Sequence, residues 1–496
     1  MSIVPTSFSS RPYLVRQLGD MRDQLDKLQQ EMATGKRAST NAGLGSQRVL
    51  SLAYRQQASE TQSYLQTIAL ANTRLQVISS TLQRIGSLGT EAKGALDPNI
   101  FAMQTNGIST GQQSATNYLQ ELTALLNTDV AGRSIFGGKA TDTTPIETID
   151  KIMNGDNGKA GLRQVIAERR AADLGADGFG RLVVDPVASD TVSFSEDAAG
   201  SPFGFKVQSI SSNLNGANVS GPTGSPPGMS IALTAQPQIG QTVSITLGLP
   251  DGSTTTVTLK AAQSAGPGAF TLGSSLTETA DNLRTALMNS LDTAGKTALS
   301  AASALQASKE FFASGGNPAL RVNGSPPETA TSLRDATDTD TVAWYKGDNS
   351  AGDPREDALA KVDKTITVAY GMRANESGFA SMFANLAALA AADFSAGDDT
   401  ASGQSSEMIR RIRVNLADGT GLVNATTTEM AGRQVMLDQA KDRLTIAKST
   451  LADLTDQVEG VDITETSANL LSLQTRIQAS YEATAIVFKL NLADYL

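Results

Sequence analysis

The chain has 496 residues, with 40 Lys and Arg against 50 Asp and Glu, and contains neither His nor Cys. A formal charge of −10 provides no general basic surface for a phosphate backbone, so nucleic acid is not expected as a partner. The two missing residue types remove disulfides, thiolate nucleophiles, histidine bases and the commonest zinc ligands together, leaving no expected catalytic residue, metal or cofactor.

The opening residues, MSIVPTSFSSRPYLVRQL, lack an uninterrupted apolar stretch and a small-residue cleavage site, so a cleaved secretory signal is not expected. The longest Ala-rich run, Ala384 to Ala392, is too short to span a bilayer, and no membrane contact is expected. Leu14, Leu18, Met21, Leu25, Leu28 and Met32 then recur in alternating steps of four and three. That spacing is the a/d pattern of a coiled-coil seam and predicts a first helix. It closes at Thr34-Gly35-Lys36-Arg37, where Gly suits a helix C-terminus and the basic pair suits the negative end of its dipole.

A second helix is predicted from Val49 to Leu96, limited by Pro98, with Ile68, Ala71, Leu75, Ile78, Leu82 and Ile85 repeating the seam spacing. A third pattern, Ala115, Leu119, Leu122 and Leu126, leads into the turn-rich segment Gly132 to Gly138. From about Asp190 the helical period disappears and Gly, Pro, Ser and Thr rise, which predicts an inserted β-rich domain. Val243, Ile245, Leu247 and Leu249 alternate, Pro250-Asp251-Gly252-Ser253 supplies turn chemistry, and Val257 with Leu259 resume, so a hairpin is predicted. Leu276, Ala280, Leu283, Leu287 and Leu291 predict a helix packed on that sheet, and Thr365 to Tyr370 a further strand.

Helix returns with Phe379, Phe383, Leu386 and Leu389, then with Met408, Ile412 and Leu416. A second seam, Ala440, Leu444, Ala447, Leu451, Leu454 and Val458, mirrors the first. After the break Glu459-Gly460-Val461, Asp462 with Glu465 forms a capping-box pattern opening a last helix that bears Leu470, Leu473, Ile477, Tyr481, Thr484 and Phe488. The expected class is α+β: an elongated coiled-coil helical bundle built from both ends of the chain, with a β-rich insertion. The expected regions are 1–140 helical, 141–189 connecting, 190–330 the variable β-rich insertion, 331–404 a strand and helix returning to the core, and 405–496 helical. The packing residues expected at an assembly interface are Leu14, Leu18, Met21, Leu25, Leu28, Ile68, Leu75, Ile78, Leu82, Leu444, Leu451, Leu454, Leu473, Ile477 and Tyr481.

Chemical motifs are weak. The Gly132-to-Ala140 segment has the wrong glycine spacing for a phosphate loop and ends in Ala where a metal-binding hydroxyl belongs, so it reads as a glycine turn. Asp335, Asp338 and Asp340 lack the spacing and terminal Glu of a calcium loop and read as a solvated acidic loop. Trp344, the one tryptophan, reads as an aromatic anchor on a domain surface.

Two stretches resemble the bacterial flagellin superfamily. Leu14 to Arg37, with its Thr-Gly-Lys-Arg close, looks like that family's first helix. Val458 to Glu465, followed by Leu473-Gln474 and Gln478 to Thr484, is similar to its C-terminal helix. Within the family the chain leans toward the hook-associated junction proteins, because Asp494-Tyr495-Leu496 resembles their terminus and Gly132 to Gly138 their glycine-arginine-aromatic turn. The segment Ala38 to Gly45 departs from the family's usual Ser-Asp-Asp-Pro loop.

The resemblance implies a structural, non-enzymatic flagellar subunit outside the cell, exported by the flagellar type III apparatus without a cleaved signal peptide. Its implied partners are copies of itself in a ring or helical lattice, other hook-associated proteins, flagellin, the export apparatus and an export chaperone. Three functions remain open at this point: junction protein, filament flagellin, and a coiled-coil secretion-apparatus or adhesin protein.

Overall fold

The computed structural model describes residues 11–394 and 399–493, and the Asp494-Tyr495-Leu496 motif lies outside them. Mixed helix and sheet make the class α+β. Two compact units are present, each assembled from separated stretches of chain. The smaller takes in residues up to Ala71, Lys361–Thr367 and Val435 onward, and the larger Asn72–Ala360 with Val368–Gln434.

Ten α-helices occur among the described residues: α1 Arg11–Thr34, α2 Arg48–Ala95, α3 Thr110–Leu126, α4 Ile149–Asn154, α5 Leu162–Leu174, α6 Leu276–Ala294, α7 Ser300–Phe311, α8 Ser377–Ala391, α9 Ala401–Glu459 and α10 Ile463–Ala493. Local chemistry sets several of their starts. Ser109 caps α3 reciprocally with Gln112: the Gln112 amide donates to Ser109 Oγ at 3.2 Å, and the Ser109 amide to Gln112 Oε1 at 2.9 Å. Ser275 caps α6 by accepting from the Glu278 amide at 3.2 Å. Asp462 Oδ1 accepts from the Thr464 and Glu465 amides at 2.8 and 3.3 Å, which opens α10 and draws the Asp462 carboxyl below its ordinary value. No helix among the described residues is long and apolar enough to cross a membrane.

The strands are β1 Asp129–Val130, β2 Arg133–Ser134, β3 Leu182–Val184, β4 Thr191–Glu196, β5 Lys206–Ser212, β6 Ala217–Thr223, β7 Gly228–Leu233, β8 Thr242–Gly248, β9 Thr254–Ala262, β10 Ala269–Thr271, β11 Leu320–Asn323, β12 Ser332–Asp335, β13 Leu359–Lys361 and β14 Thr367–Ala369. One four-stranded sheet has the order β3-β4-β7-β6 and another β10-β9-β8-β5. The predicted hairpin is β8–β9, with Val243 opposite Leu259 and Ile245 opposite Val257. Its turn holds Gly252 at φ +84°. Asp251 Oδ1 there accepts from the Ser253 amide and hydroxyl at 2.9 and 2.6 Å.

Alternation along these strands sends one row of side chains inward. Val192, Phe194 and Ile231 from the first sheet meet Ile245, Leu247, Leu259 and Phe270 from the second, and α6 adds Leu283, Leu287 and Leu291 to the same core. Elsewhere in the larger unit α8 is apolar nearly all round and buries 13 of its residues, packing against α3, α5 and α7. Arg355, itself buried, donates Nη2 to Glu376 Oε2 at 2.8 Å and Nε to Glu429 Oε2 at 3.1 Å, with a further bond to the Gly371 carbonyl.

Several expectations change. The first strand of the two four-stranded sheets begins at Leu182, before the expected insertion boundary, because β3 pairs with β4. The β11–β12 hairpin crosses the boundary expected at 330. The connecting region 141–189 contains α4 and α5, and α7 was not foreseen because its Ala/Ser-rich sequence carries little periodicity. The strand expected from Thr365 to Tyr370 shrinks to Thr367–Ala369. Trp344 is not on a surface: 5% exposed, it packs its ring 5.1 Å from that of Phe312 and 5.5 Å from that of Phe383. Asp340 is not merely solvated: against partial burial, the Thr341 hydroxyl at 2.7 Å, the Thr337 amide at 3.0 Å and Arg334 Nη1 at 2.7 Å donate to its carboxylate and hold it far below the ordinary range.

Candidate assembly site

In the smaller unit α1 packs against α10. Met21, Leu473 and Ile477 form the buried centre of that contact, and Leu18, Leu25 and Leu28 lie half-buried around it. Six of the expected seam residues thus meet in one cluster. The steps between Leu18, Met21, Leu25 and Leu28 put all four on one face of α1, and the step from Leu473 to Ile477 does the same on α10. Tyr481, 41% exposed, continues the stripe, and its hydroxyl accepts from Arg22 Nε at 2.8 Å and from Nη2. The guanidinium also lies over the Tyr481 ring, 5.6 Å from its centre.

The remaining seam residues are placed differently. Ile68 and Leu444 are buried in the smaller unit, while Leu451 and Leu454 are half-buried there. Leu75, Ile78 and Leu82 are buried in the larger unit and stand outside the α1–α10 cluster. The side chain of Leu14 lies outside the described residues.

One polar centre was not foreseen. The carboxylate of Glu459, at the end of α9, accepts from Ser51 Oγ at 2.6 Å and from Arg55 Nε and Nη2 at 2.6 and 2.5 Å, with Lys36 Nζ at 3.5 Å. Ser51 and Glu459 are both buried. The Arg55 hydrogen bonds act first, with Ser51 and the two cations behind them, and against burial they bring the Glu459 carboxyl from 4.5 down to about 2.

Backbone hydrogen bonds join the same two breaks in the helices. The Arg37 amide donates to the Glu459 carbonyl at 2.7 Å and the Val461 amide to the Gly35 carbonyl at 3.1 Å, with Gly35 at φ +70°. Arg37 Nε also reaches the Gly460 carbonyl at 2.8 Å. Lys36 and Arg37 therefore do more than complement the α1 dipole: both bind the turn that follows α9. The available signal was the opposition of two charged breaks, Gly-Lys-Arg at one end of the chain and Glu-Gly at the other.

Among the described residues no group of three or more acidic side chains could hold a metal ion. A comparison with protein-family models finds no match, and no curated protein is significantly similar to this chain.

Proposed function

We propose that this chain is a structural, non-enzymatic subunit of the bacterial flagellum that joins hook to filament. The observation supporting this reading most directly is where apolar surface stands uncovered. Fifteen of the 22 large apolar side chains exposed among the described residues belong to the smaller unit, including Val15, Val49, Leu70, Ile446, Leu471 and Ile486. Single exposed apolar residues are ordinary, but their concentration in one unit is what an interaction surface looks like. Covering such area yields about 25 cal/mol per Å², enough to drive association.

The α1–α10 pairing supports a coiled-coil reading of the terminal helices, since its apolar contacts repeat with seam spacing. Further copies would extend that bundle as a ring or helical lattice, with hook-associated proteins on one side and flagellin on the other. Export through the flagellar apparatus with a chaperone fits a chain without disulfides.

The test is electron microscopy of cells whose copy of this chain carries a small label in the β6–β7 turn. Label confined to the base of the filament supports the junction reading. Label along the whole filament, with purified protein growing long filaments, would make the chain a filament flagellin, whose single head-to-tail contact repeats without closing. Label away from flagella and normal motility after deletion would overturn the flagellar assignment and favour a secretion-apparatus or adhesin role.

A further inference from the structure

In the larger unit a cleft of about 490 Å³ opens among α7, α8 and α9. Two hydrogen bonds bring the flanking helices onto the same stretch of α8. Ser308 Oγ of α7 donates to the Ala384 carbonyl at 2.7 Å, and Asn415 Nδ2 of α9 donates to Asn385 Oδ1 at 2.9 Å. Close approach of α9 also needs the glycine at 419, since a Cβ there would stand 3.3 Å from Ser381 Oγ. Leu305, Phe312, Ala380 and Ala384 line the cleft as a buried apolar floor.

Charge narrows what this cleft can hold. Asp251, from the β8–β9 turn, lines it too, but Arg411 Nε already holds its Oδ2 at 3.1 Å. Lys309 and Asp418 are the other two charged residues of the lining. Both are exposed, and neither side chain makes an ion pair or hydrogen bond among the described residues. Lys309 adjoins Ser308 on α7, and Asp418 lies three residues from Asn415 on α9, so opposite charges stand on the two walls that meet α8 at 384 and 385. Asn415 lines the same cleft with Oδ1 unbonded among the described residues and open to solvent.

We infer that this cleft binds a short peptide with free ends, whose ammonium meets Asp418, whose carboxylate meets Lys309, and whose backbone N–H donates to Asn415 Oδ1 while an apolar side chain covers Leu305 and Phe312. A peptide carries two opposite charges, an amide donor and an apolar branch in one small molecule. The volume lies within the roughly 300 to 1,000 Å³ of small-molecule sites. Walls that flank one helix are separated by roughly 10 Å, which two or three extended residues cover at about 3.5 Å each. The inference is independent of the flagellar reading, because purified protein binds or fails to bind whether or not the chain assembles.

The test is isothermal titration calorimetry of full-length protein at low salt with alanyl-leucine. The controls are the neutral, doubly capped N-acetyl-alanyl-leucinamide and free leucine, which is too short to reach both walls. Saturable binding with a dissociation constant of about 1 mM or tighter is expected for alanyl-leucine alone. Asp418→Asn and Lys309→Gln, both at exposed positions, should each weaken it about three- to tenfold. No saturation up to about 10 mM, equal affinity for either control, or an affinity unchanged in either variant would overturn the inference.

Discussion

Replacing Glu459 by Gln keeps the shape of the side chain while removing the charge that Arg55, Ser51 and Lys36 surround. The carboxyl moves from 4.5 to about 2 on folding, and at 1.36 kcal/mol per pK unit this corresponds to about 3 kcal/mol as an upper value. Arg55 and Lys36 are 47% and 54% exposed, so solvent screening brings the expected loss to about 1 to 3 kcal/mol.

Because the folded value lies below the unfolded one, this stability is fully present above about pH 4.5 and is lost as pH falls toward about 2. Hydrogen exchange of peptides covering Gly35 to Arg37 and Glu459 to Val461 reads the effect locally, which avoids assuming that two units unfold together. At about pH 6 the wild-type amides should be about five- to a hundredfold better protected than those of Glu459→Gln, and by about pH 3 less than half of that free-energy gap should remain. Comparing the two proteins at equal pH cancels the intrinsic exchange rates. Equal protection at about pH 6, or a gap unchanged at about pH 3, would refute the claim that the carboxylate fastens these two breaks.

Leu473→Asp places a charge at the centre of the α1–α10 contact and should remove exchange protection from both helices while leaving the two sheets protected; retained protection in α1 would count against that packing. Phe194→Ala opens a cavity in the sheet core and should cost about 3 to 5 kcal/mol in urea unfolding of the β-rich region, with a loss under about 1 kcal/mol contradicting the core assignment. Arg355→Met strands Glu376 and should cost about 3 to 5 kcal/mol, and adding Glu376→Gln should restore part of it; melting temperatures that do not recover would show that Arg355 acts by packing alone.

Elements whose contacts are local and periodic can be read from residue order alone. The three-and-four steps around Met21 and around Leu473 specify apolar faces on α1 and α10, because a helix returns to the same side every three to four residues. The β8–β9 hairpin was equally legible, since two-residue alternation and the Asp251-Gly252 turn specify both register and reversal within a few residues. Asp462 also announced the start of α10 through its reach to the next amides.

Tertiary structure decided what depends on distant partners. Ser51 and Arg55 meet Glu459 across sequence separations of 408 and 404 residues, and nothing near any of the three marks the others. Trp344 stands just before the polar run Lys346-Gly347-Asp348, yet it is buried because the end of α7 and α8 bring Phe312 and Phe383 to it. Leu75 and Leu473 carry the same spacing signal but belong to different units. Periodicity says which face of a helix seeks cover, whereas the neighbour that covers it is chosen only when the whole chain folds.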